Sequence, residues 1–386
     1  MPVSRLRGVV GIGVDRFGDA ADAAAGPELL RLENPDTDVR PAAAALAATR
    51  AAIDDDAANS YLPFPGSARL RAAAAAHVSR LAGVDVDWQR QTLICAGGLN
   101  GILNVLLALL EPGDEVLIAE PAYVGLLNRI RLAGGVPIGV PLVPSETGWT
   151  LDLDALERAV TARTRVMLMM SPSMPTGCVH GRSDWEAIAR LCRDHDLWLV
   201  HDAAMERILF DGRVVVAPAG LEGMADRTVV VGSASKELRL IGWRVGWVVA
   251  PSAIVGEIGL VAISNVVCQF GIAQTAVAAA LEAGDEDVAL ATAEWERRCD
   301  VVLDELAGLP VLPPHGGWSF LLDVSAPRHA AADASALLFE RGKVAATPMV
   351  GWGGHPAQYV RFVFANEPAE RLAGLGARVR LAVGAA

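Results

Sequence analysis

A series of short apolar strands separated by helical segments is the feature that most limits how this chain can fold. The apolar runs lack the polar alternation of a half-exposed strand, which is typical of strands covered on both faces. They occur at Thr92–Ala96, Glu115–Ala119, Val166–Met170, Leu197–His201, Thr228–Gly232 and Gly246–Ala250. Because helical segments alternate with them, the pattern predicts an α/β fold with a mostly parallel sheet between helices.

The pattern changes near residue 285. A long helix at Asp287–Leu306 precedes shorter strands such as Ser319–Asp323 and Tyr359–Phe364. A chain of 386 residues also exceeds one ordinary hydrophobic core. We therefore expect a large domain at residues 41–284 and a smaller α+β domain at residues 285–386, with residues 1–40 as an N-terminal segment of the small domain.

Charge and composition restrict the partners. The formal net charge of −12 disfavours nucleic acid and anionic membranes. No stretch reaches the roughly 20 apolar residues of a membrane span, and the apolar run near the N-terminus is too short for a signal peptide. The five cysteines are odd in number and widely spaced, which suggests neither a disulfide framework nor a metal site. We expect a cytoplasmic enzyme without a metal ion.

Lys236 directly follows an apolar strand, in the segment Ser233-Ala-Ser235-Lys236. Ligands of α/β folds bind at the carboxyl ends of the strands. Ser233, Ser235 and the nearby Arg244 supply two hydroxyls and a guanidinium, which suit a phosphate group. A lysine amine beside a phosphate site can form an imine with an aldehyde. A surface lysine in a serine-rich turn is the competing interpretation.

An ordered set of motifs between about Leu32 and Arg361 resembles the class I/II aminotransferases. These are fold-type-I enzymes that depend on pyridoxal 5'-phosphate (PLP). The motifs are Tyr61-x-x-x-Pro65-Gly66-x-x-x-Leu70-Arg71, Cys95-Ala-Gly-Gly-Leu-Asn-Gly101, Pro112-Gly-Asp-Glu-Val116, Glu120-Pro-Ala-Tyr123, Pro175-Thr-Gly177, Asp202, Ser233-Ala-Ser-Lys236, Gly242-Trp-Arg244 and Arg361. The resemblance implies a fold-type-I PLP-dependent transferase whose large domain binds PLP.

The resemblance gives the cofactor-binding residues their roles. The turn at Gly98 and Leu99 begins a helix whose free N–H groups bind phosphate. Tyr123 stacks on the cofactor ring, although a buried structural tyrosine is the alternative. Asp202 pairs with the protonated pyridine nitrogen, and its alternative is a helix cap. Lys236 is the covalent anchor and the general acid and base.

Two further residues concern the substrate and the partner subunit. The resemblance makes Arg361 a bidentate partner of the substrate's α-carboxylate, although late arginines on strands are more often surface residues. It also implies that Tyr61 reaches the phosphate of a neighbouring subunit, and hence a homodimer with shared active sites. The partners implied are an amino acid and a 2-oxo acid acceptor.

Three positions depart from the family pattern. Met174 replaces the second Asn of Asn-Pro-x-Asn-Pro-x-Gly, and Met205 replaces the Tyr of Asp-x-x-Tyr. Methionine donates no hydrogen bond, so both usual donors to the cofactor's phenolic oxygen are missing. Glu33 stands where the family commonly has a small glycine near the substrate. A carboxylate there favours a cationic substrate, and a surface glutamate is the competing interpretation.

These departures lead to two main hypotheses. The first is a PLP-dependent aminotransferase of a specialised, natural-product type of biosynthetic pathway. The second is a PLP enzyme of γ- or β-elimination, replacement or cyclisation, acting on a cationic amino acid such as S-adenosylmethionine or an arginine derivative. A non-catalytic PLP-binding module is disfavoured, because we expect no winged helix-turn-helix before residue 30. The sequence does not identify the amino acid.

Overall fold

The computed structural model of the chain describes residues 3, 6–11, 14–24, 26–325, 330–354 and 358–384. Its strands are β1 (Leu30–Arg31), β2 (Thr92–Cys95), β3 (Glu115–Glu120), β4 (Val136–Ser145), β5 (Gly148–Leu151), β6 (Thr164–Met170), β7 (Trp198–Asp202), β8 (Thr228–Ser233), β9 (Gly246–Val249), β10 (Ser319–Asp323), β11 (Val344–Ala345), β12 (Thr347–Pro348) and β13 (Tyr359–Val363). Its α-helices are α1 (Val14–Ala23), α2 (Ala43–Ile53), α3 (Ala68–Ala82), α4 (Trp88–Gln91), α5 (Gly98–Leu109), α6 (Val124–Leu132), α7 (Leu153–Ala159), α8 (Arg182–Asp194), α9 (Val255–Val266), α10 (Gly271–Glu282), α11 (Glu286–Glu305), α12 (Ala331–Leu337), α13 (Ala369–Leu372) and α14 (Leu375–Val383).

The large sheet has eight strands in the order β2-β9-β8-β7-β6-β3-β4-β5. The neighbours from β8 through β7, β6 and β3 to β4 are all parallel, whereas β9 and β5 are antiparallel to their neighbours. The six apolar runs in the sequence all form strands of this sheet, with ends that differ by one or two residues. The predicted α/β fold class is confirmed.

Helices cover both faces of this sheet, which explains why its strands are apolar throughout. In β8, Val230 packs among residues of α3 and α10, while Val229 and Val231 pack on the opposite face with α5 and α6. Since successive side chains of a strand point to opposite faces, both faces must be apolar. The parallel strands therefore end together at one buried edge.

The C-terminal part of the chain forms its own small core. Strands β10, β13 and β12 make an antiparallel sheet, and β1 pairs in parallel with β11. The rings of Phe320 and Phe362 stack with centroids 5.4 Å apart, and Leu30 and Leu32 pack in the same core. The N-terminal strand thus joins the C-terminal part. The domain boundaries at residues 40/41 and 284/285 stay a prediction.

Strands β4 and β5 were not predicted from the sequence. Proline cannot donate a ladder hydrogen bond and argues against a central strand, and β4 contains Pro137, Pro141 and Pro144. In the structure β5 pairs only with residues 142–145 of β4. Residues 136–141 of β4 therefore have one strand neighbour, β3, so prolines 137 and 141 lie on an edge where no donor is needed.

Candidate active site

A cavity of about 150 Å³ lies where the parallel strands of the large sheet end. Strands β7 and β8 end at Asp202 and Ser233, and β6 ends at Met170, which is paired with Asp202. Of the thirteen predicted site residues, ten line the cavity: Gly98, Leu99, Tyr123, Met174, Asp202, Met205, Ser233, Ser235, Lys236 and Arg244. The fold therefore brings residues separated by almost 150 positions to one place.

Lys236 lies three residues beyond the end of β8 and is buried. Its Nζ donates to the carbonyl oxygen of Pro35 at 2.6 Å and lies 4.9 Å from the ring centroid of Trp318. Burial lowers the pKa of Lys236 to about 7; the charge of Asp36 opposes this shift, and Arg361 adds to it. A lysine with this pKa has a substantial neutral fraction at neutral pH, as a nucleophilic amine requires.

Asp202 is the last residue of β7, and its side chain is buried. Burial raises its pKa to about 6, while a hydrogen bond from the Ala204 amide at 3.2 Å and the charge of Arg129 act in the opposite direction. The amide contact closes a local turn, but no helix begins there, so the helix-cap interpretation is wrong. The same carboxylate nevertheless lines the cavity, where a cationic group would stabilise its charged form.

The turn before α5 is shaped for an anion. Gly97 caps the helix with a φ of +87°, and the first amides of a helix have no intrahelical partner. A Cβ on Gly97 would lie 2.7 Å from Nη2 of Arg244, and one on Gly98 would lie 3.1 Å from Cβ of Ser233. Nη1 of Arg244 also donates to Oγ of Ser235 at 3.2 Å. Free amides, hydroxyls and a guanidinium thus lie together at this turn, where they suit an anion.

Arg361 lies next to the cavity but does not line it. The side chain is fully buried, and Nη2 donates to the carbonyl oxygen of Glu33 at 2.5 Å. Nη1 is 4.0 Å from Sδ of Met174, which does line the cavity. Nε has no hydrogen-bond partner in the described part of the chain. Burial lowers the pKa of Arg361 to about 10, and Tyr123 and Glu33 oppose that shift.

Glu33 and Tyr61 lie outside the cavity. Oε1 of Glu33 forms an ion pair with Arg31 at 2.6 Å, and Oε2 has no hydrogen-bond partner in the described residues. The side chain is buried and does not line the cavity, so it is not placed to meet a substrate cation there. Tyr61 is 82% exposed and lies beside Phe270 on the surface. Within one chain it does not line the cavity, and its role at the site of a neighbouring subunit stays a prediction.

Several residues of the site were not predicted. Pro35 and Trp318 contact the lysine amine, Ile241 and Leu126 line the cavity, and Arg129 acts on Asp202. Most of them come from segments remote in sequence that only the tertiary fold brings together. Pro35 could have been found from the sequence, since it lies two residues from Glu33, which was predicted to lie near the substrate.

A model of the family described as aminotransferase class I and II matches residues 30–378. The chain belongs to the class I and II aminotransferases. It is 35% identical over 326 residues to the arginine–pyruvate transaminase of Pseudomonas aeruginosa, covering 83% of this chain and 82% of that one. It is 38% identical over 299 residues to a probable N-succinyldiaminopimelate aminotransferase of Mycobacterium tuberculosis, covering 75% and 74%.

Solved aminotransferases have the same fold. The N-succinyldiaminopimelate aminotransferase from Mycobacterium tuberculosis superimposes with a TM-score of 0.92 at 32% identity, covering 98% of this chain and 99% of that one. The aspartate aminotransferase from Thermus thermophilus with maleate gives 0.91 at 29% identity, covering 99% of each chain. The predicted family is confirmed, and these relatives are named as aminotransferases of arginine, N-succinyldiaminopimelate and aromatic amino acids.

Aminotransferases of this family depend on PLP, and the donor set of this aminotransferase fits that cofactor. The glycine turn with Ser233, Ser235 and Arg244 suits the phosphate. Asp202 lacks an ion pair in the described residues and suits a cationic pyridine nitrogen. Lys236 also lacks an ion pair there and suits the aldehyde.

Proposed function

We propose that this chain transfers the amino group of an amino acid to a 2-oxo acid, with Lys236 as its central catalytic residue. The observation that most supports this proposal is that Lys236 and Asp202 line one cavity, with pKa values of about 7 and about 6. When bound, PLP supplies an aldehyde that condenses with amines and a cationic ring that withdraws electrons.

Lys236 has two tasks in this proposal. Nζ is the covalent attachment point of the cofactor, and its low pKa favours the neutral amine that attachment needs. With the cofactor and substrate bound, Nζ would be placed to take a proton from the substrate's Cα and to return it, as a general base and then a general acid. Pro35, whose carbonyl oxygen accepts from Nζ, orients the amine within the site.

Asp202 and Tyr123 act on the ring. Asp202 would accept a hydrogen bond from a protonated pyridine nitrogen and would keep the ring of the bound cofactor cationic, because the pair stabilises both charges in a buried place. Tyr123 lines the same cavity and would pack against that ring. Neither residue needs to move a proton.

Arg361 binds the substrate's α-carboxylate. A fully buried guanidinium with an unpaired Nε and no carboxylate in hydrogen-bond contact favours an incoming anion. Met174 lies between this guanidinium and the cavity, so it borders the place where the carboxylate must arrive.

The cationic substrate of the alternative, an eliminating or cyclising enzyme, depended on a free carboxylate at Glu33. That carboxylate is paired with Arg31, and no other observation favours the alternative. A specialised pathway stays a prediction that depends on Met174 and Met205.

We further propose that the active unit is a homodimer in which Tyr61 reaches the neighbouring site. Helix α9 is apolar but buries only Ile258, and Leu260 and Phe270 are 69% and 62% exposed. Such exposed apolar area is typical of a subunit interface. Sedimentation as a monomer at micromolar concentration would contradict this proposal.

No helix of the described residues is long and apolar enough to cross a membrane, and a cytoplasmic location stays a prediction.

A panel of amino acids tests the reaction type. PLP-loaded enzyme is mixed with each donor, including arginine, aspartate and an aromatic amino acid, without an acceptor. We expect at least one donor to convert the cofactor's visible spectrum to that of pyridoxamine phosphate, and pyruvate or another 2-oxo acid to reverse it. Release of ammonia or of a side-chain group, with the PLP spectrum retained, would contradict transamination.

A further inference from the structure

Residues 349–354, here called the tryptophan loop, cover the arginine assigned to the substrate carboxylate. Trp352 in this loop is fully buried between two residues of the site. Its ring lies edge to face with Tyr123, with centroids 5.5 Å apart, and the guanidinium carbon of Arg361 lies 4.8 Å from its centroid. A guanidinium packed on an indole face has a restricted orientation.

Two hydrogen bonds hold the tryptophan loop to the end of β3 and to the residues that follow it. The carbonyl oxygen of Trp352 accepts from the Ala122 amide at 3.1 Å. The Gly354 amide donates to Oε2 of Glu120 at 2.9 Å. Glu120 is therefore the side chain that links the loop to the segment carrying Tyr123.

The carboxylate of Glu120 occupies a slot that only glycines permit. A Cβ on Gly139 would overlap the carboxyl carbon of Glu120, and a Cβ on Gly353 would lie 2.6 Å from it. Gly353 has a φ of +118°, which other residues rarely adopt. Glu120 forms no ion pair in the described residues, so the loop amide is its partner there. A surface glutamate without a structural role would not require glycine at both of these positions.

We propose that Glu120 is a positioning residue for substrate binding. It holds the tryptophan loop in place, so that Trp352 keeps the guanidinium of Arg361 oriented toward the substrate's carboxylate. The inference rests on the proposed role of Arg361. Without the carboxylate of Glu120, the loop loses a charge-assisted hydrogen bond and Arg361 loses the restraint of the indole face.

The test compares Glu120→Ala and Glu120→Gln in the PLP-loaded enzyme. An orienting contact acts equally on bound substrate and transition state, so KM should rise while kcat stays nearly constant. We expect Glu120→Ala to raise KM for the amino acid about tenfold, equivalent to about 1.4 kcal/mol. Glu120→Gln retains an acceptor without the charge and should restore most of the affinity. Glu157→Ala, which removes a surface ion pair with Arg190, is the matched control.

Hydrogen exchange supplies a readout that needs no substrate. The Ala122 amide and residues 349–354 should exchange faster in Glu120→Ala than in the unmodified enzyme, with other segments unchanged. Gly353→Ala should act in the same direction, because its Cβ would crowd the carboxylate. If Glu120→Ala does not fold, Gly353→Ala and Glu120→Gln carry the test.

The outcomes separate this inference from the proposed function. Unchanged KM in Glu120→Ala, or unchanged exchange of the tryptophan loop, overturns the role of Glu120. If Arg361→Lys raises KM while Glu120→Ala does not, only the positioning role is lost. If Arg361→Lys leaves KM unchanged, the carboxylate-binding role of Arg361 is wrong, and the exchange result still decides whether Glu120 holds the loop.

Discussion

At the scale of single residues, burial sets the chemistry of the two ionisable groups that matter most. It moves the lysine and the aspartate of the cavity toward their neutral forms, with pKa values of about 7 for Lys236 and about 6 for Asp202. Neither group has an ion-pair partner among the described residues. An aldehyde would react with the neutral amine of Lys236, and a cation would pair with the carboxylate of Asp202 and stabilise its charge.

The two methionines that depart from the family pattern line the same cavity as Lys236. Met174 and Met205 both line the cavity, and Met205 is only 2% exposed. Neither methionine side chain can donate a hydrogen bond to the cofactor's phenolic oxygen. The local chemistry therefore differs from the family pattern at two positions around one predicted oxygen.

Restoring donors at these positions should change the electronics of the bound cofactor. In the double variant Met174→Asn and Met205→Tyr, donors to the phenolic oxygen stabilise its ionised form. We expect the pKa of the visible band of the lysine-bound cofactor to fall by about one unit or more. A pH titration of the band measures it. Met170→Leu, which alters the cavity wall without adding a donor, should leave the pKa unchanged.

A larger side chain at Met205 adds volume to a buried site, which commonly costs about 1–3 kcal/mol of stability. Thermal unfolding therefore accompanies the titration. An unshifted pKa in a folded, PLP-loaded double variant would show that the methionines do not border the phenolic oxygen. A shifted pKa together with a change from the native reaction to simple transamination would support a specialised enzyme.

At this scale the sequence predicted the site residues that belong to local motifs. Lys236 and Arg244 were found because their spacing along the chain is local. Glu33 was interpreted as a free carboxylate because nothing in the sequence indicates that Arg31 turns toward it. Trp318 and Trp352 could not be singled out among nine tryptophans, since their contacts depend on how the small core packs against the large sheet.

At the scale of elements, hydrophobic patterning was sufficient where both faces of a strand are buried. The strands around the site are continuous apolar runs, so their existence and order along the chain were predicted. Strand β4 was missed because its prolines are tolerated where it lacks a ladder partner on one side, and β5, which pairs only with β4, was missed with it. The order of strands across the sheet depends on tertiary contacts and did not follow from the pattern.

The turn between β2 and α5 permits a test at this scale. Alanine at Gly97 would adopt a left-handed φ of +87° and press on Arg244, so it should disturb the phosphate site. We expect Gly97→Ala to weaken PLP binding about tenfold or more, since it displaces a charged donor. PLP titration of the apoenzyme measures this effect.

Gly113 provides the matched control. It has a similar φ of +97°, and no heavy atom of the described residues lies within 4 Å of its Cβ position. Gly113→Ala should lose a comparable stability, about 1–2 kcal/mol for a left-handed alanine, and bind PLP normally. Equal PLP affinities in the two variants would show that the Gly97 turn does not hold the phosphate.

At the scale of the whole molecule, the fold unites residues from both ends of the chain around one site. Pro35 from the N-terminal segment, Lys236 from the large sheet and Trp318 from the small core meet at one amine. The sequence predicted the class of fold and the cofactor, because an ordered set of motifs spans the chain. It could not show that Arg361 lies behind the cavity wall, since that depends on how the two cores pack together.

The most direct test of this account locates the cofactor's covalent attachment. The chain has two lysines, Lys236 and Lys343, and Lys343 is exposed with Nζ 3.1 Å from the carbonyl oxygen of Glu340. PLP-loaded enzyme is reduced with borohydride, digested and analysed by peptide mass spectrometry. We predict that the reduced cofactor is found on the Lys236 peptide alone, that Lys343→Arg labels normally, and that Lys236→Ala loses both the label and the visible band. A label on Lys343, or a visible band that survives dialysis in Lys236→Ala, would contradict the account.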